Sequence, residues 1–306
     1  MSTDSNRGQT EPSPATSEPG PLSAVPVEHW QRVARLWDQV GPPLRPCRED
    51  IDFLSHHVHQ WAAAATSPPR ALILGVTPEI CRLPWPADTE LRAIDHTASM
   101  IEAIWPGPRE AVTCGEWTAP PFDDASFDLA FCDGGLHLMR HPDEHAAFAR
   151  SMRRIVAPGG LFLLRLFAPA EPSRRESVAT VLDDLLGARI PNLNLLKFRL
   201  WMAMHSSPAT GVPLRDVWQA VHDAGPDFDA LADRIGWQRE HLAAINSYRD
   251  SPNSYHFLTI TETRELFCGK DGGFVVEETF IPSYPMGDQC PWLILRRAAK
   301  PEATGT

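Results

Sequence analysis

Between Ala71 and Phe167 the chain alternates apolar runs with helical segments, and this pattern limits the possible folds more than any other feature. The runs are "ALIL", "LRAID", "AVTC", "FDLAFCD" and "GLFLLRLF"; "ASMIEAIW" and "DEHAAFARSMRRIV" carry apolar residues at helical spacing between them. Repeated βα units of this length predict a parallel sheet covered on both faces, with right-handed crossovers. Two further strand patterns, "GFVVEETFIP" and "PWLILRR", come only near the end of the chain. The stretch from Pro169 to Lys270 is helical and aromatic, with Trp201, Trp218, Trp237, Tyr248, Tyr255 and Phe257. A structureless loop of that length does not fit a compact domain, so a helical insertion or lid over the sheet's C-terminal edge is expected at 169–270.

The predicted organisation is a disordered tail over 1–26, a helical cover over 27–66 and a core over 67–168. The insertion follows, then a strand pair over 271–298 that completes the sheet, and a tail over 299–306. The first segment, rich in Ser, Thr, Pro and Glu, has nothing to bury and lacks the basic start and apolar core of a secretory signal. In the cover, Trp30, Val33, Leu36, Trp37 and Val40 are helically spaced, and a second helical run extends from Glu49 to Trp61. No apolar stretch approaches the roughly 20 residues that span a bilayer. Six scattered cysteines without a C-x-x-C pair read as reduced thiols of a cytoplasmic protein. A formal charge of −11 argues against bulk affinity for nucleic acid, and Arg150, Arg153 and Arg154 read as a solvated helix face.

The first turn of the expected sheet, "LGVTPE", lacks a dinucleotide fingerprint: of the glycines at Gly75, Thr77 and Ile80 that G-x-G-x-x-G would demand, only the first is present. The start of a helix is still specified. Thr77 suits an N-cap, Pro78 the first helical position and Glu79 the first turn. A carboxylate there would repel a pyrophosphate but would tolerate a cationic ligand. Asp95 follows Gly75 by 20 residues at the end of the second strand, the spacing of a ribose-binding acid. Asp133 and Gly134 end the fourth strand, on the edge where open α/β sheets bind ligands.

Taken in order, "ALILGVTPE", "LRAIDHTASMIEAIW", "CGEWTAPPFDDASFDLAFCDGGLHLM" and "MRRIVAPGGLFLLRLF" resemble the motifs of the class I S-adenosylmethionine (SAM)-dependent methyltransferases, over about Ala71 to Phe167. The chain is most similar to the branch that acts on small molecules. The resemblance implies a Rossmann-like, mostly parallel seven-stranded α/β sheet with helices on both faces. It also implies SAM as cofactor and methyl transfer to a small-molecule oxygen, nitrogen or carbon. By its terms Gly75, Thr77 and Glu79 form the first loop, with Asp95 at the ribose and His96 following it in the cofactor site, Glu116 and Trp117 beside the adenine, and Asp133 and Gly134 ending strand four. Two departures stand out: Ile73 replaces the usual acid of the first motif, and Thr77 and Glu79 replace glycines. Glu79 is expected to receive the cofactor's ammonium group in place of that acid.

His137 is the candidate base for the acceptor, with a hydrogen-bonded structural role as the alternative. Its spacing from His141 and His145 invites a metal, but Pro142 breaks the helix that would align the three, so no metal is expected. Tyr255, His256, Tyr284 and Asp288 are candidates to line an acceptor pocket. Two other readings stay open on the residues alone, a non-catalytic SAM- or nucleoside-binding sensor or partner protein and an NAD(P)-dependent oxidoreductase.

Overall fold

Alternate residues of each central strand are buried on opposite faces, so the sheet must be covered twice. The computed structural model describes residues 37–299. The tail expected over 1–26, and Trp30, Val33 and Leu36 of the cover, lie outside these residues. After a 3-10 turn at Trp37–Gln39, helix α1 (Arg48–Ala64) precedes β1 (Arg70–Leu74), α2 (Pro78–Cys81), β2 (Glu90–Asp95), α3 (Ala98–Ile104), β3 (Val112–Cys114), β4 (Phe127–Asp133), α4 (Asp143–Ile155) and β5 (Val156–Arg165). The insertion then contributes α5 (Val178–Leu186), α6 (Leu193–Met204), β6 (Val212–Pro213), α7 (Leu214–Ala224), α8 (Phe228–Ile235), α9 (Arg239–Ala243) and β7 (Ser254–Tyr255). Helix α10 (Ile260–Cys268), β8 (Phe274–Phe280) and β9 (Trp292–Arg297) complete the described chain.

The main sheet has seven strands in the order β3-β2-β1-β4-β5-β9-β8. The first five pair in parallel, while β9 runs antiparallel to both β5 and β8. The Rossmann-like architecture is therefore the one expected. Period-two burial is explicit in β1: Leu72 and Leu74 face one core cluster, Ala71 and Ile73 the other. Phe148, Met152 and Ile155 of α4 and Phe267 of α10 cover the first face. Leu54 and Val58 of α1, with Met100 and Ile101 of α3, cover the second.

Helix α4 carries Asp143 and Glu144 in its first turn and Arg153 and Arg154 in its last, which suits the helix dipole. Of its three arginines only Arg150 is simply solvated. Arg153 donates to the Asp271 carbonyl, and Arg154 to the Pro120 and Phe122 carbonyls, which ties loops to the helix.

The insertion has a core of its own. Val181, Leu196, Phe198, Val217, Val221, Leu231 and Ile245 are buried together, so the segment is a folded layer. Its helix starts are written locally: Ser177, Asn192 and Asp227 each accept a backbone N–H as N-cap. Helix α10, which the sequence pattern groups with the insertion, packs its Phe267 into the sheet's own core beside Phe148, Phe162 and Phe274. No described helix is long and apolar enough to cross a membrane.

Candidate functional site

The strand order reverses between β1 and β4, and the loops leaving these strands part there. That is where open α/β sheets take their ligands. Gly75 follows β1 at φ +96°, and Gly134 follows β4 at φ +61°, both in the left-handed region that side chains disfavour. Gly75 N–H still donates to the Ile94 carbonyl at 2.8 Å, which keeps the loop tied to β2. The indole of Trp117 donates to the same carbonyl at 2.9 Å and lies under the edge as a floor. A Cβ on Gly135 would come within 2.5 Å of that ring, so the loop after β4 rests directly on it.

Around these loops lies a cavity of about 390 Å³. Gly75, Thr77, Asp95, His96, Trp117, Asp133, Gly134 and His137 all line it, so most of the residues singled out by sequence converge here. Met100 lines it too. Asp95 is buried at the end of β2, where its Oδ1 accepts the Thr97 N–H at 2.7 Å. Desolvation pushes its pKa up to about 7, against the pull of Thr97 and with a push from Glu116. With Thr97 as its hydrogen-bonding neighbour and His96 Nδ1 3.8 Å away, this carboxylate, with up to four acceptor sites, retains capacity for ligand hydroxyls. Burial likewise lowers the pKa of His96.

Helix α2 begins as its residues demand, with Thr77 as N-cap, Pro78 at the first position and Glu79 in the first turn. It is only one turn long, so almost no macrodipole points at the cavity. Glu79 does not reach the cavity. Its Oε1 pairs with Arg45, whose guanidinium also donates to the Trp37 and Val40 carbonyls and lies 4.9 Å from the Trp37 ring, while Glu79 Oε2 is buried without a hydrogen-bond partner. One oxygen of the carboxylate expected to receive the ammonium is thus held in an internal ion pair. That pair holds the segment whose Trp37, Gln39, Val40 and Leu44 close one side of the cavity. Glu116 also stays outside, in a smaller adjoining recess with Thr118 and Glu144, and burial raises its pKa.

Asp133 lines the cavity, but its carboxylate is engaged from behind by Arg165. That guanidinium is fully buried, 3.9 Å from Asp50, and donates to the Tyr284 hydroxyl at 3.1 Å. Asp50 accepts in addition from Trp292 Nε1 at 2.8 Å. Desolvation pushes Asp133 up to about 6 even though the neighbouring guanidinium pulls it down.

Beyond the sheet edge the cavity continues as a chamber under the insertion, lined by Phe167, Trp201, Tyr248 and Tyr255. Asn194, Lys197 and Trp201 follow one another at helical spacing on α6, which places them on one face, and all three line the chamber. His137 is stacked on Phe257, with ring centroids 5.2 Å apart, and meets Tyr255 edge-on at 4.5 Å. Burial there drives its pKa down to about 3, so it is neutral at physiological pH and a weak base. Its carbonyl accepts the His256 N–H at 2.8 Å, which joins the loop after β4 to the insertion.

His256 itself binds the Pro208 carbonyl, Tyr284 stands behind Asp133, and Asp288 pairs with Arg174 at the surface. Of the four residues expected to line an acceptor pocket, only Tyr255 does so. His141 and His145 approach through their Nδ1 atoms at 3.4 Å, while His145 Nε2 meets the Leu136 carbonyl at 3.0 Å. No group of three or more His, Cys, Asp or Glu residues that could hold a metal ion occurs among the described residues. Lys197 and Asn194 were not singled out by the sequence, and Tyr248 was marked only as an aromatic of the insertion, not as a cavity residue. The one available signal was a single lysine inside the apolar run "LNLLKFRLWMAM".

A family model described as a methyltransferase domain matches residues 77–164. No curated protein matches the sequence. Among solved structures, a putative Zn-dependent alcohol dehydrogenase from Rhodobacter sphaeroides is similar at TM-score 0.54 and 10% identity, over 89% of this chain and 98% of that one. The 1,6-didemethyltoxoflavin-N1-methyltransferase of Burkholderia thailandensis, with its acceptor and S-adenosylhomocysteine bound, gives 0.48 and 15% over 95% and 100%. A SAM-dependent methyltransferase from Methanosarcina mazei gives 0.44 and 14% over 79% and 98%. At such identities the first likeness concerns the fold alone, and the other two are too distant in shape to carry an argument.

Proposed function

From the premise that this chain carries a class I SAM-dependent methyltransferase domain, we propose that it transfers a methyl group from SAM to a small-molecule acceptor held beneath the helical insertion. One observation carries the reading: a single cavity runs from the loops at the sheet's switch point into an aromatic chamber roofed by α6 and the segment around Tyr248. Such a space suits a compact acceptor better than a polymer.

The residues at the edge fit the cofactor. Asp95 has the burial and the spare acceptor capacity to hold ribose hydroxyls. Gly75, Thr77 and Gly134 let the ligand approach backbone, while His96, Met100 and Trp117 offer walls on the adenine side. Asp95, once ionised, brings to the edge a negative charge that no Lys or Arg pairs among the described residues, which suits a cationic ligand. When bound, SAM supplies an electrophilic methyl group. The protein's part is to align the acceptor, exclude water and hold both partners on a rigid edge. His137, neutral and caged by aromatic rings, serves in this reading as a wall of the chamber and not as the base.

Calorimetry with SAM, S-adenosylhomocysteine and NADH tests the cofactor, and release of S-adenosylhomocysteine from an acceptor mixture tests turnover. Micromolar binding of the two sulfur ligands with turnover supports the proposal. Binding without turnover on any acceptor would favour a sensor, and a response to NADH alone would overturn the reading.

A further inference from the structure

Lys197 is the one ammonium or guanidinium among the described residues that line the cavity. It makes no ion pair among the described residues, and its Nζ lies 5.0 Å from the centroid of the Tyr248 ring. The nearby chamber walls, Trp201, Tyr248, Tyr255 and Phe167, bring no carboxylate to it. The cavity's two carboxylates are at the sheet edge, where Asp133 is already engaged by Arg165. On the same face of α6, Asn194 donates its Nδ2 to the Gln39 carbonyl at 2.9 Å. The Tyr248 ring faces the ammonium, and a ligand carboxylate would add the counter-charge that none of the described side chains supplies.

Resting on the methyl-transfer reading above, we propose that Lys197 sets acceptor specificity by pairing with one carboxylate on a planar, otherwise apolar acceptor. Aromatic walls select flat rings, and a single positive charge neutralises a single negative one. A phosphate, with nearly two charges, would leave one of them unmatched, because Lys197 is the one ammonium or guanidinium among the described residues lining the cavity. Lys197 is only partly covered from solvent, and desolvation lowers its pKa to about 8 with no neighbouring anion to oppose it.

The test titrates 2-naphthoate and its neutral counterpart 2-naphthamide into the full-length protein by calorimetry, with and without S-adenosylhomocysteine. The wild type is expected to bind naphthoate at least about tenfold more tightly, as a charge-assisted hydrogen bond provides. Lys197→Met should abolish that preference, and Lys197→Arg should retain it, with affinity for S-adenosylhomocysteine unchanged in both. Should Lys197→Met fail to fold, Lys197→Gln replaces it. Equal affinity for the two probes, no binding of either, or a preference that survives loss of the ammonium would overturn the proposal. Failure of the wild type to bind S-adenosylhomocysteine would instead refute the cofactor reading, while the naphthoate comparison would still decide the lysine.

Discussion

Replacing Arg165 by methionine removes the one guanidinium that neutralises Asp133 and approaches Asp50, both buried. Methionine fills much of the same volume, so the loss is chiefly of charge. Breaking a buried pair in this way costs roughly 3–5 kcal/mol. For a chain of this size that lowers the melting temperature by about 6–10 °C.

The pH dependence follows from Asp133, which desolvation has already pushed up to about 6 with Arg165 present. Without the opposing charge its pKa rises further, so the folded variant keeps the proton to a higher pH than the folded wild type. Below about pH 6 both folded proteins hold the proton, and pH adds nothing to the gap between them. Above it the wild type ionises against its arginine while the variant does not. The gap then widens by up to about 1.4 kcal/mol per pH unit until the variant's carboxyl also ionises. Thermal melts of both proteins at pH 5 and pH 8 read this directly. A difference of less than about 1 kcal/mol at pH 8, or an equal one at both pH values, would refute the reasoning. The double variant Arg165→Met/Asp133→Asn, which removes the stranded charge, should recover most of the pH-dependent part.

Asp95→Asn should weaken S-adenosylhomocysteine binding by about 10- to 100-fold, the worth of hydrogen bonds to a charged acceptor. In the wild type that affinity should rise from pH 6 to pH 8 as Asp95 ionises through about 7, and calorimetry on the variant should show a flat profile. Gly135→Ala would push a methyl group into the Trp117 ring and Cys132 Sγ, so a loss of about 1–3 kcal/mol in a denaturant melt is expected, with weaker cofactor binding. Thr259→Ala removes the side chain that caps α10 through the Glu262 N–H and should cost about 1 kcal/mol without altering cofactor affinity.

The sheet was legible because its signal is redundant. "ALIL" and "FDLAFCD" are apolar on both faces, and their order with the intervening helices leaves few topologies. The edge of the site was legible for the same reason, since Gly75, Asp95, Asp133 and Gly134 sit at strand ends fixed by that order. What escaped depends on partners distant in sequence. Nothing near Glu79 announces Arg45, and the ion pair became visible only once the cover segment was folded against α2. Lys197 was hidden by its surroundings: periodicity places it on a helix but does not say that this face looks into a chamber. His137 reads as a base from its residue type, whereas its basicity is set by Phe257 and Tyr255, far along the chain.

Strand β9 lies between β5 and β8, so Leu164 pairs with Leu293 across the whole insertion. Closing such a loop carries a modest thermodynamic penalty, about 0.6 kcal/mol for each doubling of its length. Timing is another matter. During synthesis the first five strands emerge with the apolar flank of β5 unpaired, and they wait until the entire insertion and the final strand have left the ribosome. The chain is thus expected to pass through an adhesive half-sheet, and the early folding of the insertion, with its separate core, shortens the stretch of loose chain over which β9 must find its place.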